Sequence, residues 1–338
     1  MKKKTYNVAV LGATGVVGRE VLEILEQRKF PLGELRLFAT ERSRGEKIRV
    51  NGQDYGVEVA VPGCFKGIDI VMGDTPTAVS RQLIPLAVKE GALGIDCSSA
   101  FRMEKNVPLV IPEVNPEAIT PETRLIAGAN CSAIPIAVAV KPLMKVAGIK
   151  RLVASTYQSV SGAGKGGSDE LAQQTVAILN QGEMERKVFA HQIAFNCIPH
   201  IDKFNEDGTT KEESKIIDEL RKMLSLPDLK ISVTAVRVPV FCGHSVSLNV
   251  ELDRKIGRDQ ARELFAKAPG IKLVDDPSKN LYPIPTEVAG TDDVFVGRIR
   301  EDPSVEHGLN IWLAADNLRK GAALNAVQIA ELLIQKYL

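Results

Sequence analysis

Short apolar runs alternate with amphipathic stretches over roughly the first 125 residues of the chain. Asn7 to Leu11 reads as a buried strand, and past the turn at Gly12 to Gly15 the apolar positions Val17, Val21, Ile24 and Leu25 recur at helical spacing. Leu35, Leu37 and Ala39 mark a second strand and Ile68 to Met72 a later one. A helix across Ala78 to Glu90, with Pro85 expected to kink it, leads into a strand at Leu93 to Cys97. Leu125 to Ala129 is a further strand, followed by a helix over Ile136 to Val146. Such alternation predicts a parallel sheet with helices on both faces.

From Arg151 the rhythm changes. Leu152 to Val160, Ile231 to Val238, Ser245 to Leu252 and Asn310 to Ala314 alternate apolar with polar, as in an antiparallel or mixed sheet with one face packed on helices. Helices are expected at Asp169 to Asn180, Lys211 to Leu224 and Asp259 to Ala268, the middle one opened by a capping box of Thr210 and Glu213. A last helix, Leu318 to Tyr337, carries Leu318, Ala322, Ala326, Ile329, Ala330 and Leu333 as one stripe. With 338 residues, two domains are the natural expectation, and the fold class is α/β: a Rossmann-type domain plus an α+β domain with a mixed sheet.

Composition narrows the class of partner. Lys and Arg number 43 against 42 Asp and Glu, a net charge of +1, which disfavours nucleic acid. The longest apolar run, Ala133 to Val140, is too short for a membrane span, and Val8 to Leu11 is too short for the core of a signal peptide. No nucleic acid and no membrane are expected as partners, and the protein is expected to be soluble and cytoplasmic. The five cysteines are widely spaced with no C-x-x-C pair, as in a reducing compartment, and the four histidines lack ligand spacing, so no metal is expected.

Gly12-Ala13-Thr14-Gly15-Val16-Val17-Gly18 falls between the first strand and the first helix, where glycines allow close approach of a pyrophosphate to the helix N-terminus. The spacing is G-x-x-G-x-x-G; it suits a dinucleotide but also a tight strand-to-helix turn. At the end of the second strand, Thr40, Arg42, Ser43 and Arg44 suit a ribose 2′-phosphate, while Glu41 leaves room for NAD. NADP is the expected cofactor.

Cys131 precedes the helix expected at Ile136 to Val146, a place where unsatisfied N–H groups favour a thiolate. Position alone suits a nucleophile and a small buried hydrophobe equally. Cys64, Cys97, Cys197 and Cys242 lack the setting.

Several segments in order then identify a family resemblance. Gly12 to Gly15, Ser98-Ser-Ala-Phe-Arg102, Asn130-Cys131-Ser132, Tyr157-Gln158-Ser-Val-Ser161-Gly162, Arg237-Val-Pro-Val-Phe-Cys-Gly-His244 and Asp316-Asn317-Leu-Arg-Lys-Gly321 together resemble the aspartate-semialdehyde dehydrogenases over essentially the whole chain. The resemblance implies reductive dephosphorylation of L-aspartyl 4-phosphate to L-aspartate 4-semialdehyde with NADPH, on the route to lysine (through diaminopimelate), threonine and methionine. It implies Cys131 as the thiolate that forms a thioester, His244 as acid/base and Gln158 as the residue that orients substrate. Arg237 would hold the substrate carboxylate, as a guanidinium fork suits, with Glu212 near the substrate amine and Lys215 beside it. Arg102, Asn130 and Lys215 would take the phosphate, and Ser161, Gly162 and Asn317 the nicotinamide end of the cofactor. Residues 1–129 and 316–338 would form the dinucleotide-binding domain, because the family's last helix returns to it, and 130–315 the catalytic and dimerisation domain of a homodimer. The partners implied are the small-molecule substrate and inorganic phosphate. Two rival readings remain: a related acyl-phosphate reductase such as N-acetyl-glutamyl-phosphate reductase, whose cysteine motif resembles Gly-Cys-Tyr instead, and a non-catalytic NADP-binding regulator.

Overall fold

The computed structural model describes residues 4–338. Two compact units divide the chain, one running through Asn130 and resuming at Ala322–Leu338, the other Cys131–Gly321. The breaks fall at 130/131 and 321/322, where the sequence placed them at 129/130 and 315/316.

The first unit is built on eight strands: β1 (Tyr6–Leu11), β2 (Leu32–Phe38), β3 (Lys47–Val50), β4 (Gln53–Glu58), β5 (Ile70–Gly73), β6 (Leu93–Asp96), β7 (Leu109–Val110) and β8 (Leu125–Gly128). Their spatial order is β3-β4-β2-β1-β5-β6-β8-β7, parallel except for the antiparallel β3–β4 hairpin. Strand order reverses between β1 and β5, and the carboxyl ends at that reversal are where open α/β sheets place a ligand crevice. Helices α1 (Val16–Gln27) and α2 (Thr77–Lys89) follow β1 and β5, with Pro85 carried inside α2. The C-terminal helix, Leu324–Lys336, buries Leu324, Ala326, Val327, Ile329, Ala330 and Leu333 in the core of this unit. Asn325 Nδ2 donates to the Val110 carbonyl at 3.0 Å, and Tyr337 donates to that of Ile119 at 2.7 Å, pinning both ends of the helix.

One correction concerns that helix. The expected start at Leu318 is replaced by a π turn over Arg319–Ala323, in which the Gly321 N–H bonds the Asp316 carbonyl at 3.0 Å. A π turn inserts a residue into the helical period. Leu318 and Ala322 therefore leave the buried stripe and are only half-buried.

The second unit carries β9 (Arg151–Gln158), β10 (Lys230–Arg237), β11 (His244–Glu251), β12 (Ile271–Leu273), β13 (Val294–Asp302) and β14 (Gly308–Ala315), in the order β10-β9-β11-β14-β13-β12. The sheet is mixed: β9–β10 and β12–β13 are parallel, the other pairings antiparallel. Its longer helices are α3 (Ala133–Ala147), α4 (Gly164–Leu179), α5 (Lys211–Leu224) and α6 (Arg258–Lys267). Helix α3 is apolar nearly all round, with Ile134, Ile136, Ala137, Val138, Ala139, Val140 and Leu143 buried, so it forms the centre of this unit's core. It starts three residues before the expected Ile136, because Pro135 fits the first helical turn, where no partner for its nitrogen is needed.

Helix α5 spans Lys211–Leu224, as its apolar spacing predicts. Its capping box closes: the Glu213 N–H donates to Thr210 Oγ1 at 3.3 Å, and the Thr210 N–H to Glu213 Oε2 at 2.7 Å. Glu213 Oε1 also accepts from the Ala235 N–H at 2.9 Å, so the cap ties α5 to β10. Thr210→Ala removes one orphan-donor partner at a buried helix start and is expected to cost about 1 kcal/mol of stability; thermal or urea unfolding of the two proteins measures it.

Candidate active site

Strand ends assemble the centre of the second unit. Gln158 is the last residue of β9, Arg237 the last of the adjacent parallel β10 in direct register with it, and His244 the first of the antiparallel β11. All three therefore lie at one end of the sheet. Cys131 stands two residues before α3, with Ser132 at its N-cap.

Cys131 Sγ lies 3.4 Å from His244 Nε2. On the other side of the ring, the Ser159 N–H donates to His244 Nδ1 at 3.1 Å, and Ser159 Oγ lies 3.0 Å from the same nitrogen. Burial, helped by the positive charge of Arg237, holds the imidazole well below the ordinary histidine range, so the ring is neutral at pH 7. Gly162 packs on the same ring: a Cβ there would lie 2.9 Å from Arg237 Nη1 and 3.2 Å from His244 Nε2.

Arg237 is buried, and Nη1 donates to the Ser159 carbonyl at 2.7 Å, its one side-chain hydrogen bond among the described residues. The guanidinium also faces the Phe189 ring at 5.9 Å. Desolvation lowers its pKa, while the charges of Cys131 and Glu212 oppose that shift. A buried guanidinium with most of its donor fork unused is a site for an anion. Glu212 is also buried; Gln158 Nε2 donates to its Oε1 at 3.3 Å, and Lys215 Nζ is 3.6 Å from its Oε2. The pair Glu212–Lys215, which spacing alone would make a solvated surface pair, is thus half-sunk in the unit. Lys215 is held more tightly by Asp202, at 2.6 Å.

Three contributors escaped the sequence reading. Ser159 lies inside a segment that was singled out, yet nothing in its neighbours reveals the contact with His244. Asp202 carries no motif signal. Gly321 backs the nucleophile: a Cβ there would lie 3.0 Å from Cys131 Cβ and 3.3 Å from its Cα. Asn317 joins the network through its Oδ1, which lies 3.0 Å from Ser159 Oγ and accepts from the Gly243 N–H at 3.0 Å, and by donating to Ser161 Oγ at 3.0 Å.

The other sulfurs lie in settings that keep them protonated or remote. Burial pushes Cys97 well above the usual thiol range, and burial with the charge of Asp316 pushes Cys242 up to about 12. Cys64 is raised by burial, and Cys197 is exposed.

In the first unit, Gly12 has φ +80°, and a Cβ on it would lie 2.3 Å from the Asp74 carbonyl oxygen at the end of β5. A Cβ on Gly18 would lie 2.2 Å from the Gly12 carbonyl oxygen. Both positions demand glycine. Gly15 and Val16 are exposed at the start of α1, whose first turn carries no acidic side chain, so its N–H groups are open to an anion. Ser43 Oγ donates to Thr14 Oγ1 at 3.3 Å, joining the loop to the turn after β2, where Thr40 and Arg42 are exposed and Glu41 pairs with Arg44 at 3.6 Å. Ala13 is buried and Val17 half-buried beneath the loop. Arg102 is buried and donates to the Gly128 and Cys97 carbonyls at 2.9 and 2.7 Å; Asn130 is buried too. Among the described residues no cluster could hold a metal ion, and no helix is long and apolar enough to cross a membrane.

A glycine-turn parallel unit and a mixed-sheet unit bearing a thiol–imidazole pair suit a dinucleotide-dependent enzyme with a cysteine nucleophile. Two family models make the class a semialdehyde dehydrogenase: "Semialdehyde dehydrogenase, NAD binding domain" matches residues 7–121 and "Semialdehyde dehydrogenase, dimerisation domain" residues 140–320. The chain is 49% identical over 335 residues to the aspartate-semialdehyde dehydrogenase of Aquifex aeolicus, covering 98% of each. It is 46% identical to that of Bacillus subtilis, covering 96% of each. The crystal structure of aspartate semialdehyde dehydrogenase II from Vibrio cholerae complexed with ASA is similar at a TM-score of 0.97 and 44% identity, covering 99% of this chain and 100% of that one. The chain belongs to the aspartate-semialdehyde dehydrogenase family. It is an oxidoreductase of aspartate-family amino-acid biosynthesis that works with a nicotinamide dinucleotide.

Gly321→Ala places a methyl group against the backbone and Cβ of Cys131. We expect a kcat several-fold to about tenfold lower, because the methyl group displaces Cys131 by a few tenths of an ångström at a reacting centre where a full ångström costs about a hundredfold, with the fold retained; steady-state rates beside circular dichroism check both.

Proposed function

We propose that the chain converts L-aspartyl 4-phosphate to L-aspartate 4-semialdehyde through a thioester on Cys131, and the 3.4 Å approach of Cys131 Sγ to His244 Nε2 carries that reading. The thiolate attacks the acyl carbon; the S–C bond forms, the bond from carbon to the phosphate oxygen breaks, and inorganic phosphate leaves. Bound NADPH supplies the hydride that reduces the acyl carbon. His244 holds the sulfur in its reactive state through Nε2 and carries the proton that the reacting oxygen exchanges. Collapse to the aldehyde returns the sulfur as thiolate.

Arg237 takes the substrate carboxylate, the anion its unused donors call for, and Glu212 takes the ammonium group. Gln158, anchored on Glu212, orients the acyl group. Arg102, Asn130 and Lys215 are assigned the phosphate. The glycine turn from Gly12 to Val17 suits a pyrophosphate, and Thr40, Arg42 and Ser43 suit a 2′-phosphate, which makes NADP the preferred dinucleotide. Ser161, Gly162 and Asn317 are assigned its nicotinamide end. The unit that ends at Asn130 and resumes at Ala322 serves the dinucleotide, and the unit Cys131–Gly321 serves catalysis and dimerisation.

The assembly proposed is a homodimer. Along β9, Leu152, Ala154, Thr156 and Gln158 are buried, while Arg151, Val153, Ser155 and Tyr157 on the opposite face are half-buried. Tyr157 and Trp312 meet at 5.3 Å on that second face, a surface that suits a second copy of the chain. Free thiols throughout the described residues fit a reducing cytoplasm.

Cys131→Ala is expected to abolish phosphate-dependent reduction of NADP with aspartate semialdehyde while NADPH binding stays within about twofold. Turnover above roughly a thousandth of the parent rate would remove Cys131 from the mechanism.

A further inference from the structure

We infer that the Ser159 hydroxyl is the group that allows His244 to change its protonation state during turnover, making Ser159 a positioning residue for the acid/base step. The inference rests on the assignment of His244 to that step. Its basis is the asymmetry of the two contacts at Nδ1. The Ser159 backbone N–H, 3.1 Å away, can only donate, so by itself it requires a lone pair on Nδ1 and leaves the ring hydrogen of the neutral imidazole on Nε2. That hydrogen points at Cys131 Sγ, 3.4 Å away, and favours the thiolate.

A ring locked in this form is a good partner for the thiolate and a poor shuttle. To accept a proton at Nε2, the ring must first carry its hydrogen on Nδ1, and it then holds hydrogens on both nitrogens. Either state puts an N–H on Nδ1, opposed by the Ser159 N–H. Only Ser159 Oγ, at 3.0 Å, can relieve this opposition, because a hydroxyl donates or accepts. With a lone pair on Nδ1, the hydroxyl can donate to it. With a hydrogen on Nδ1, Oγ accepts, and its own hydrogen turns to Asn317 Oδ1 at 3.0 Å or to Ser161 Oγ at 3.0 Å. Asn317 Oδ1 is fixed as an acceptor by the Gly243 N–H at 3.0 Å, so this alternative is held ready.

The charged and titratable groups facing the ring are Cys131, before α3, and Arg237, from β10. Arg237 opposes a positive imidazole, and its Nη1 also grips the Ser159 carbonyl at 2.7 Å. The same residue is thereby fixed through its carbonyl, its N–H and its hydroxyl. No other hydroxyl within hydrogen-bonding distance of Nδ1 can substitute among the described residues.

The test pairs nitrogen-15 NMR of the histidine rings with kinetics, on the parent and on Ser159→Ala. In the parent, His244 should show a lone pair on Nδ1 and a hydrogen on Nε2 at neutral pH. In Ser159→Ala the same tautomer should persist, with proton affinity about tenfold weaker, the worth of one hydrogen bond to a charged ring. Its kcat should fall by at least about tenfold in both reaction directions with KM values within about twofold. Iodoacetamide labelling of Cys131 should remain within about twofold, reporting that the variant is folded and the thiolate intact. A parent ring with its hydrogen on Nδ1, or a variant whose proton affinity and kcat match the parent, overturns the inference. Loss of selective labelling at Cys131 in the parent would instead overturn the thioester reading on which it rests.

Discussion

The sulfur of Cys131 and the imidazole of His244, 3.4 Å apart, constrain everything else in the catalytic unit. An ordinary cysteine is only about 3% thiolate at pH 7, and raising that to half requires about 2 kcal/mol of differential stabilisation. The start of α3 contributes some of this through the positive end of its dipole, typically about 0.3–1 kcal/mol. The Nε2–H of a neutral ring and the nearby Arg237 charge contribute in the same direction. A protonated His244 would give more attraction, but burial, with the charge of Arg237, disfavours it. The centre therefore relies on oriented dipoles and one fixed cation, with no mobile charge.

That choice explains the placement. Arg237, Glu212, Gln158 and His244 are all buried, which is costly for polar and charged groups in a loop that could open to water or collapse. Ends of adjacent strands hold Gln158, Arg237 and His244 by backbone pairing that extends through the unit's core, and the first turn of α5 holds Glu212, so the geometry is set before substrate arrives. The glycines follow from the same crowding. Gly162 and Gly321 exist where a methyl group would collide with His244, Arg237 or Cys131 themselves.

Much of this was legible in the sequence. The period of the apolar residues gave the class of both sheets, and α5 emerged with its bounds and its cap because a capping box is a purely local signal. The Cys131 and His244 segments pointed to the two atoms that meet. What failed was non-local or overlooked. The β3–β4 hairpin was missed although Asn51-Gly52, both at positive φ, is a strong hairpin signal, because β3 is only four residues long and β4 is largely exposed. The π turn before the C-terminal helix has no period to detect. The hold of Asp202 on Lys215 and of Ser159 on His244 arises from chain segments distant in sequence, which no local pattern encodes.

The most direct test of the thiolate centre is a single turnover without dinucleotide. The enzyme is mixed with L-aspartyl 4-phosphate, quenched in acid and digested, and the released phosphate is counted alongside the mass of each cysteine peptide. The account predicts about one phosphate per active site, matched by an aspartyl adduct confined to the peptide bearing Cys131. Stoichiometric phosphate release with the adduct on another cysteine, or with Cys131 unmodified, would contradict it.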